Sequence, residues 1–180
     1  MNQATLKLQR AFERFADTLG VISAVLLLGL VANVFYDVVM RYLFNDVSIG
    51  MQELEWHLFS AIFLLGTAYA LKVDGHVRVD LVYERLPPRR QALIDMVGTV
   101  VFIWPFCLLV ADYGIDFAAE AYSIGEISGD PGGLPMRWII KGMIPLAFAC
   151  VVVTSIGFLL RALHRYHGID VATARRSGLS

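Results

Sequence analysis

Charged residues are scarce in this sequence, and their scarcity indicates whether the chain folds in water or in a lipid bilayer. Only 17% of the 180 residues are charged, 57% are hydrophobic, and the formal net charge is −1. A soluble domain of this length carries more charge and fewer apolar residues. The sequence has two cysteines, Cys107 and Cys150, and both fall inside apolar runs. This placement excludes a secreted disulfide framework and a CxxC metal site, so we expect a membrane protein with two small packing cysteines.

Ionisable residues are also missing from the middle of the apolar runs. Transporters and pumps place such residues near the centre of the bilayer, where they are costly and therefore functional. Four-helix cytochromes hold haem with histidines that face the bundle interior. The four histidines of this chain lie at or beyond the ends of the runs: His57, His76, His164 and His167. The sequence therefore predicts a protein that is not an enzyme, has no cofactor, and moves neither electrons nor ions by itself.

Four apolar stretches are long enough to cross a membrane. A spanning helix needs about 17 to 25 mainly apolar residues. The stretches that meet or approach this length are 19–36, 54–71, 93–111 and 142–160. We expect an all-α integral membrane protein of four helices, with interfacial amphipathic segments, that forms one domain over residues 1–180. Residues 161–180 are expected to be a tail.

The first 18 residues have the pattern of an amphipathic helix. Leu8 and Phe12 recur at helical spacing, and Lys7 and Arg10 lie opposite them. A helix of this kind lies on an anionic leaflet, so we expect membrane lipids among the partners of segment 1–18. A cleaved signal peptide is not expected, because the apolar core is too long and no small-x-small cleavage site follows it.

Lysine and arginine are distributed unevenly among the segments that connect the spans. Twelve of the 15 lie in the N-terminal segment, the second loop and the C-terminal tail. Such residues stay preferentially on the cytoplasmic side, so both termini are expected in the cytoplasm. The third loop, with five acids from Asp112 to Asp130, is expected outside. This pattern explains the basic residues without a nucleic-acid partner.

The stretch "DGHVRVD" at 74–80 concentrates charge just after the second span. On an extended segment His76, Arg78 and Asp80 would share one face. A hydrolytic or metal site needs further ligands and a nucleophile, and arginine is not a metal ligand. We interpret the stretch as an inner-face clamp, in which Asp80 caps the next turn and pairs with Arg78 or His76. The clamp acts either within the chain or on a partner.

Several short motifs together resemble one protein family in their order and spacing. That family has an Arg that ends the first span, Glu-Leu at the start of the second, a Gly inside it, Gly-x-His-x-Arg-Val-Asp after it, and later Leu-Pro and Ile-Pro. The matching residues are Arg41, Glu53 and Leu54, Gly66, Gly75 to Asp80, Leu134 and Pro135, and Ile144 and Pro145. Residues 20–160 thus resemble the small permease (DctQ-like, Q) subunit of tripartite ATP-independent periplasmic (TRAP) transporters.

This resemblance implies a division of labour between subunits. In the family a large permease (M) subunit holds sodium ions and substrate and moves, while a soluble periplasmic substrate-binding (P) protein delivers the substrate. The small subunit enlarges the fixed scaffold. The resemblance therefore implies an accessory subunit of the bacterial inner membrane, with the M subunit and the P protein as partners. The complex would import an organic anion, a carboxylate or keto acid, driven by an ion gradient.

Candidate residues for structure or for a subunit interface follow from these motifs. They are Arg41, Asn45, Glu53, Trp56, Gly66, Gly75, His76, Arg78, Asp80, Leu134, Pro135 and Pro145. Some have simpler explanations, since Arg41 can reach the headgroups and Trp56 can anchor in the aromatic belt. Glu53 is expected to bond either Arg41 or the loop backbone. A self-sufficient homo-oligomeric transporter or channel is the alternative function, although the spans offer few polar residues to line a path.

Overall fold

A computed structural model of the chain describes residues 3–73, 75 and 83–168, and these ranges form helices joined by short connections. The helices are α1 (Gln3–Leu43), α2 (Ile49–Lys72), α3 (Pro88–Gly98), α4 (Trp104–Ser123) and α5 (Trp138–Tyr166). A π-helical turn, Thr99–Ile103, joins α3 to α4. With α3 and α4 taken as one rod, the described part has four helices long and apolar enough to cross a membrane. The predicted all-α fold with four such helices is confirmed.

The helices extend beyond the apolar stretches that predict them. α1 is one continuous helix through the N-terminal segment and the first span. α4 continues to Ser123, so Asp112, Asp116 and Glu120 lie on this helix. The expectation that these three acids belong to the third loop is wrong, and the connection itself covers residues 124–137. Hydropathy misses the last turns of α4 because alanine and glutamate favour a helix whatever the apolarity of the segment.

Local sequence signals set several helix ends. Ser48 caps α2, and its hydroxyl accepts a hydrogen bond from the Met51 N–H. Asn45 follows α1 with a φ of +55°, a left-handed conformation in which asparagine is enriched. Pro88 occupies the first turn of α3, where its missing N–H leaves no helical bond unmade. The end of α1 and the starts of α2 and α3 are therefore explained by short-range chemistry.

α5 is the central helix of the bundle. It packs against α1, α2, α3 and α4, whereas α4 packs along α5 and has no comparable contact with α1 or α2. The buried core between the helices consists of Leu19, Leu65, Ala68, Leu71, Cys107, Cys150 and Val151. Both cysteines are free and buried, as expected for packing residues. α4 therefore packs against one long helix, α5, and its other faces are not covered by the other long helices that the structure describes.

Glycines allow α5 to approach its neighbours closely. A Cβ added at Gly157 would lie 2.8 Å from the Cβ of Phe12 on α1. A Cβ at Gly114 of α4 would lie 3.0 Å from the Cδ of Pro145. Small residues bring helix backbones together in membranes, where apolar burial gives little drive for association. These two contacts therefore set how near α1 and α4 lie to α5.

We expect Gly157→Ala to lower the thermal stability of the protein, because the new methyl group overlaps Phe12. Such overpacking costs on the order of 1–3 kcal/mol. Gly142→Ala is the matched control on the same helix, since no atom lies within 4 Å of its Cβ position. This control is expected to be neutral or slightly stabilising. The fraction of monodisperse protein after heating in detergent ranks the two variants, and equal stabilities would contradict the close contact between α1 and α5.

Candidate functional site

Ion pairs of the described residues gather at the two ends of the bundle. We call the loop end the one that holds the end of α1, the start of α2 and residues 124–137. The terminal end holds the start of α1, the end of α2 and the end of α5. Between them, the buried polar side chains are uncharged: Ser23, Asn33, Thr99, Thr154 and Ser155. Specific polar recognition by this part of the chain therefore belongs to its ends.

Glu53 organises the loop end. It lies in the second turn of α2, and its carboxylate accepts a hydrogen bond from the Leu134 N–H at 2.6 Å. The Ser128 hydroxyl donates to the same carboxylate. A carboxylate that accepts a backbone N–H forms one of the stronger protein hydrogen bonds. Glu53 therefore fastens the connection 124–137 onto the start of α2.

A second carboxylate ties the same connection to α5. Glu126 pairs with Lys141 and lies 3.6 Å from Nε of Arg137. The ammonium of Lys141 also lies 3.9 Å from the centre of the Phe117 ring on α4. Cations are attracted to the faces of aromatic rings, so this lysine also stabilises the contact between α4 and α5. The connection is thus anchored at both of its halves.

Backbone geometry gives the connection a fixed shape. Met136 has a φ of +60°, which is uncommon for a residue with a side chain. A Cβ at Gly133 would overlap the side chain of Ser128, so only glycine fits there. Leu134 is partly buried and contacts the Cβ position of Gly50, whereas Pro135 is exposed. The connection is therefore a built structure with both buried and exposed faces.

Arg41 bonds to its own helix. Its guanidinium donates to the carboxylate of Asp37 one turn earlier, at 2.5 Å, and Asp37 is buried. Of the two partners expected for Glu53, the carboxylate bonds the loop backbone, and Arg41 pairs elsewhere. Asn45 is exposed at the tip of α1, next to exposed Phe44. The tip therefore presents an apolar surface beside a fixed arginine.

Three further candidates lie along the helices. Trp56 is 72% exposed and points away from the bundle, which suits a belt position or a partner contact. Gly66 faces Ser23 of α1, since its Cβ position lies 3.8 Å from that hydroxyl, an ordinary contact distance. Pro145 packs against Gly114 of α4. Gly66 and Pro145 therefore act within this chain.

The terminal end is held by an arginine that sequence reasoning misses. Arg161 of α5 donates to the Lys72 carbonyl at 2.8 Å and to the Glu13 carboxylate at 2.9 Å. The Lys72 ammonium in turn pairs with Asp17. These residues are up to 148 positions apart, so no local motif joins them. Their one sequence signal is that each charge stands near the end of an apolar run.

A second group lies where α3 meets α5. Arg165 is 3.2 Å from Asp95, and the Tyr83 hydroxyl donates to Asp95 at 2.7 Å. Burial, together with this hydrogen bond to a carboxylate, raises the pKa of Tyr83, so the phenol stays protonated and continues to donate. Tyr83, five residues before α3, is thereby fixed to the end of α5.

The predicted inner-face clamp lies mostly outside the described residues. This is the case for His76, Arg78 and Asp80, and the clamp stays a prediction. Gly75 is described, and its N–H donates to the Ala70 carbonyl at 2.9 Å, which continues the last turn of α2. The described residues thus bring the chain to the clamp position at the terminal end.

The described part offers surfaces for contact more than groups for chemistry. Its His, Cys, Asp and Glu side chains form no cluster of three that would hold a metal ion. A cleft of about 330 Å³ lies between α2 and α5, and its lining is almost entirely apolar: Phe59, Ser60, Phe63, Leu64, Ile140, Lys141 and Ile144. Lys141 is already paired with Glu126. Such a cleft suits a lipid chain or an apolar side chain of a partner.

Comparison with known proteins gives one consistent result. Residues 30–165 match the family described as tripartite ATP-independent periplasmic transporters, DctQ component. A TRAP transporter small permease protein of Haemophilus influenzae is 28% identical over 130 residues, which are 71% of this chain and 81% of that protein. The ectoine TRAP transporter small permease protein TeaB of Halomonas elongata is 26% identical over 154 residues, 84% of this chain and 76% of TeaB. The sialic acid TRAP transporter small permease protein SiaQ of Vibrio cholerae is 29% identical over 94 residues, 52% of this chain and 54% of SiaQ.

We expect Glu53→Ala to loosen the connection 124–137, because the Leu134 N–H and the Ser128 hydroxyl lose their acceptor. The Leu134 amide then loses a charge-assisted hydrogen bond, so it should exchange faster than in the native chain. Glu55→Ala on the same helix turn is the control and should leave the exchange of Leu134 unchanged. Hydrogen–deuterium exchange with mass spectrometry in nanodiscs measures both variants. Native exchange rates in Glu53→Ala would show that the carboxylate does not anchor the connection.

Proposed function

This chain belongs to the DctQ family of small permease subunits in tripartite ATP-independent periplasmic (TRAP) transporters, and we propose that it serves there as a fixed scaffold for the large permease subunit. The family match covers residues 30–165, most of the chain. The protein is therefore a multi-pass component of a transporter in the inner membrane. Membership in the family fixes an accessory role for the chain, and its structure suggests how the role is performed.

One observation carries the scaffold proposal: the distribution of polar groups along the bundle. The described ion pairs lie at the two ends, and the buried polar residues between them are uncharged. A subunit that carried ions or anionic substrate through itself would need ionisable or strongly polar groups at that depth. A scaffold needs apolar helix faces for lipid and partner, together with polar anchors at both interfaces. The distribution supports the second role.

A self-sufficient small transporter is the other candidate, and the cleft between α2 and α5 argues against it. Among the residues that line this cleft, the polar ones are Ser60 and Lys141. Lys141 is bound by Glu126 and by the Phe117 ring. This lining would not replace the water around a carboxylate or a sodium ion. Substrate and coupling ions are better assigned to the large subunit, and sodium remains the expected ion.

We further propose that the loop end takes part in receiving the periplasmic substrate-binding protein. Glu53 and Glu126 hold the connection 124–137 in place, and Ile127 and Met136 remain 67% and 57% exposed on it. A fixed loop with exposed apolar side chains loses little entropy when a partner covers it. Phe44, at the tip of α1 on the same end of the bundle, is also exposed.

For the transported substrate we propose only a chemical class. Two relatives are named for ectoine and for sialic acid, and these names differ from each other. Family membership therefore does not choose the substrate of this chain. An organic anion, a carboxylate or keto acid, is the substrate class that we propose from the resemblance of the sequence.

The proposed orientation places both termini in the cytoplasm. We expect Ile127→Cys in the connection 124–137 to react with a membrane-impermeant thiol reagent in intact spheroplasts, because the site is exposed on the outer side. Arg85→Cys, exposed between α2 and α3, should react only after permeabilisation. Cys107 and Cys150 are buried and are replaced by alanine in both variants. The reverse labelling pattern would exclude the proposed topology.

The scaffold proposal is tested by co-expressing and purifying the chain with a large permease (M) subunit of a TRAP transporter. We expect a one-to-one complex that needs both subunits for uptake into proteoliposomes, and no flux through this chain alone. Arg41→Ala should weaken assembly or uptake without changing the preference among substrates, because it removes the partner of buried Asp37 at the loop end. Arg85→Ala, at an exposed site of the terminal end, is the control. Altered substrate preference in Arg41→Ala, or flux through the chain by itself, would refute the proposal.

A further inference from the structure

A buried histidine connects the start of α1 to the end of α5. His164 is completely buried, and its Nδ1 lies 2.7 Å from Oε1 of Gln9, which is 2% exposed. The amide nitrogen of Gln9 donates to the Glu13 carboxylate at 2.8 Å. Arg161 donates to the same carboxylate at 2.9 Å. We call these four residues the α1–α5 latch.

The hydrogen bonds of the latch determine which nitrogen of His164 carries the proton. Ionised Glu13, paired with Arg161, can only accept hydrogen bonds, so Gln9 must turn its NH₂ group toward Glu13. The carbonyl oxygen of Gln9 then faces His164, which must donate from Nδ1. A neutral imidazole has a single N–H, so Nε2 carries a lone pair. Nε2 is buried, and none of the described residues forms a hydrogen bond with it.

This arrangement stabilises the neutral form of the His164 ring and destabilises its protonated form. Protonation would add an N–H at Nε2, where the described part of the chain offers no acceptor, and would place a charge in a buried position. The described titratable and charged groups around the latch are Glu13 and Asp17 on α1, Lys72 on α2, Tyr83 and Asp95 at α3, and Arg161, Arg165 and His167 on α5. The three carboxylates are already paired, Glu13 with Arg161, Asp17 with Lys72 and Asp95 with Arg165. Each of them therefore already has a cation to compensate.

The start of α1 has a second surface available when it leaves α5. Leu8 and Phe15 are 48% and 36% exposed on the docked segment. Lys7 and Arg14 are exposed beside them. Apolar side chains flanked by cations bind the surface of an anionic leaflet. Release therefore exchanges the contact with α5 for a contact with lipid, which offsets part of the free energy that the lost contacts cost.

We propose that the α1–α5 latch is a proton-sensitive switch, in which the start of α1 is docked on α5 while His164 is neutral and is released when His164 is protonated. The switch goes beyond the scaffold role and does not rest on it. Because the docked state binds fewer protons than the released state, docking weakens as the pH falls. The weakening begins near the ordinary imidazole pKa of about 6.5 and reaches at most about tenfold per pH unit.

The test measures the distance between α1 and α5 in the full-length chain, held in nanodiscs that contain anionic lipid. Spin labels are placed at the exposed positions Ala4→Cys and Leu163→Cys, with Cys107→Ala and Cys150→Ala, and pulsed EPR reads the distance. We expect one short, narrow distance at about pH 7.5 and an added longer, broader population at about pH 5. Identical distributions at both pH values would overturn the proposal.

Two variants assign the response to the latch. His164→Asn keeps an N–H donor toward Gln9 but does not titrate, so it should stay docked at both pH values. His167→Asn removes the exposed neighbouring histidine and should respond like the native chain.

If His164→Asn is released at both pH values, the ring is needed for packing, and Gln9→Glu decides the question. Its new carboxylate would accept a hydrogen bond from an imidazolium, so release should move to lower pH. A native pH response in His164→Asn, or in Gln9→Glu, would assign the proton to another group and overturn the switch.

Discussion

The hydrogen bonds of Arg161 fix the register of three helices that the sequence keeps far apart. Its guanidinium bonds the last turn of α2 and a carboxylate of α1 from a position on α5. A partly buried arginine is stable only where its donors find acceptors, because lipid and protein offer little water. α1, α2 and α5 must therefore meet at one level along the bundle. The close contact of Gly157 with Phe12 and the burial of His164 against Gln9 both require this level.

The loop end depends on the same register through the stiffness of the helices. α2 has 24 residues, about 36 Å at 1.5 Å per residue, and ends at Lys72 beside Arg161. Because a helix behaves as a rod over this length, fixing its last turn also fixes where Glu53 stands at the other end. Glu53 can then reach the Leu134 N–H. Arg161 at the terminal end and Glu53 at the loop end thus together fix the position of α2 in the bundle.

Hydropathy predicts four spanning helices because the bilayer imposes a single strong constraint on length and apolarity. It does not predict that α4 runs on to Ser123, since a helix outside the apolar slab follows propensity and local contacts. The small size of Gly66 indicates a close approach but not which helix approaches, and the neighbour is Ser23 of α1. Partners such as Leu134 for Glu53, 81 residues away, depend on the packed fold and leave no short-range pattern. The roles of His76, Arg78 and Asp80 stay predictions.

The apolar faces of the helices are weaker indications of a protein partner than the connection 124–137 is. Lipid tails are as apolar as leucine side chains, so exposed apolar residues on α4 do not by themselves call for a protein partner. A left-handed backbone at a residue with a side chain costs free energy, on the order of 1–3 kcal/mol, and persists where neighbouring contacts impose it. Met136 is in that conformation, two residues after the anchored Leu134, and its side chain is exposed. Joining two helices would not require a strained residue or two carboxylate anchors. These features hold apolar side chains in a defined place outside the bundle, which is the property that a docking surface for a soluble partner needs.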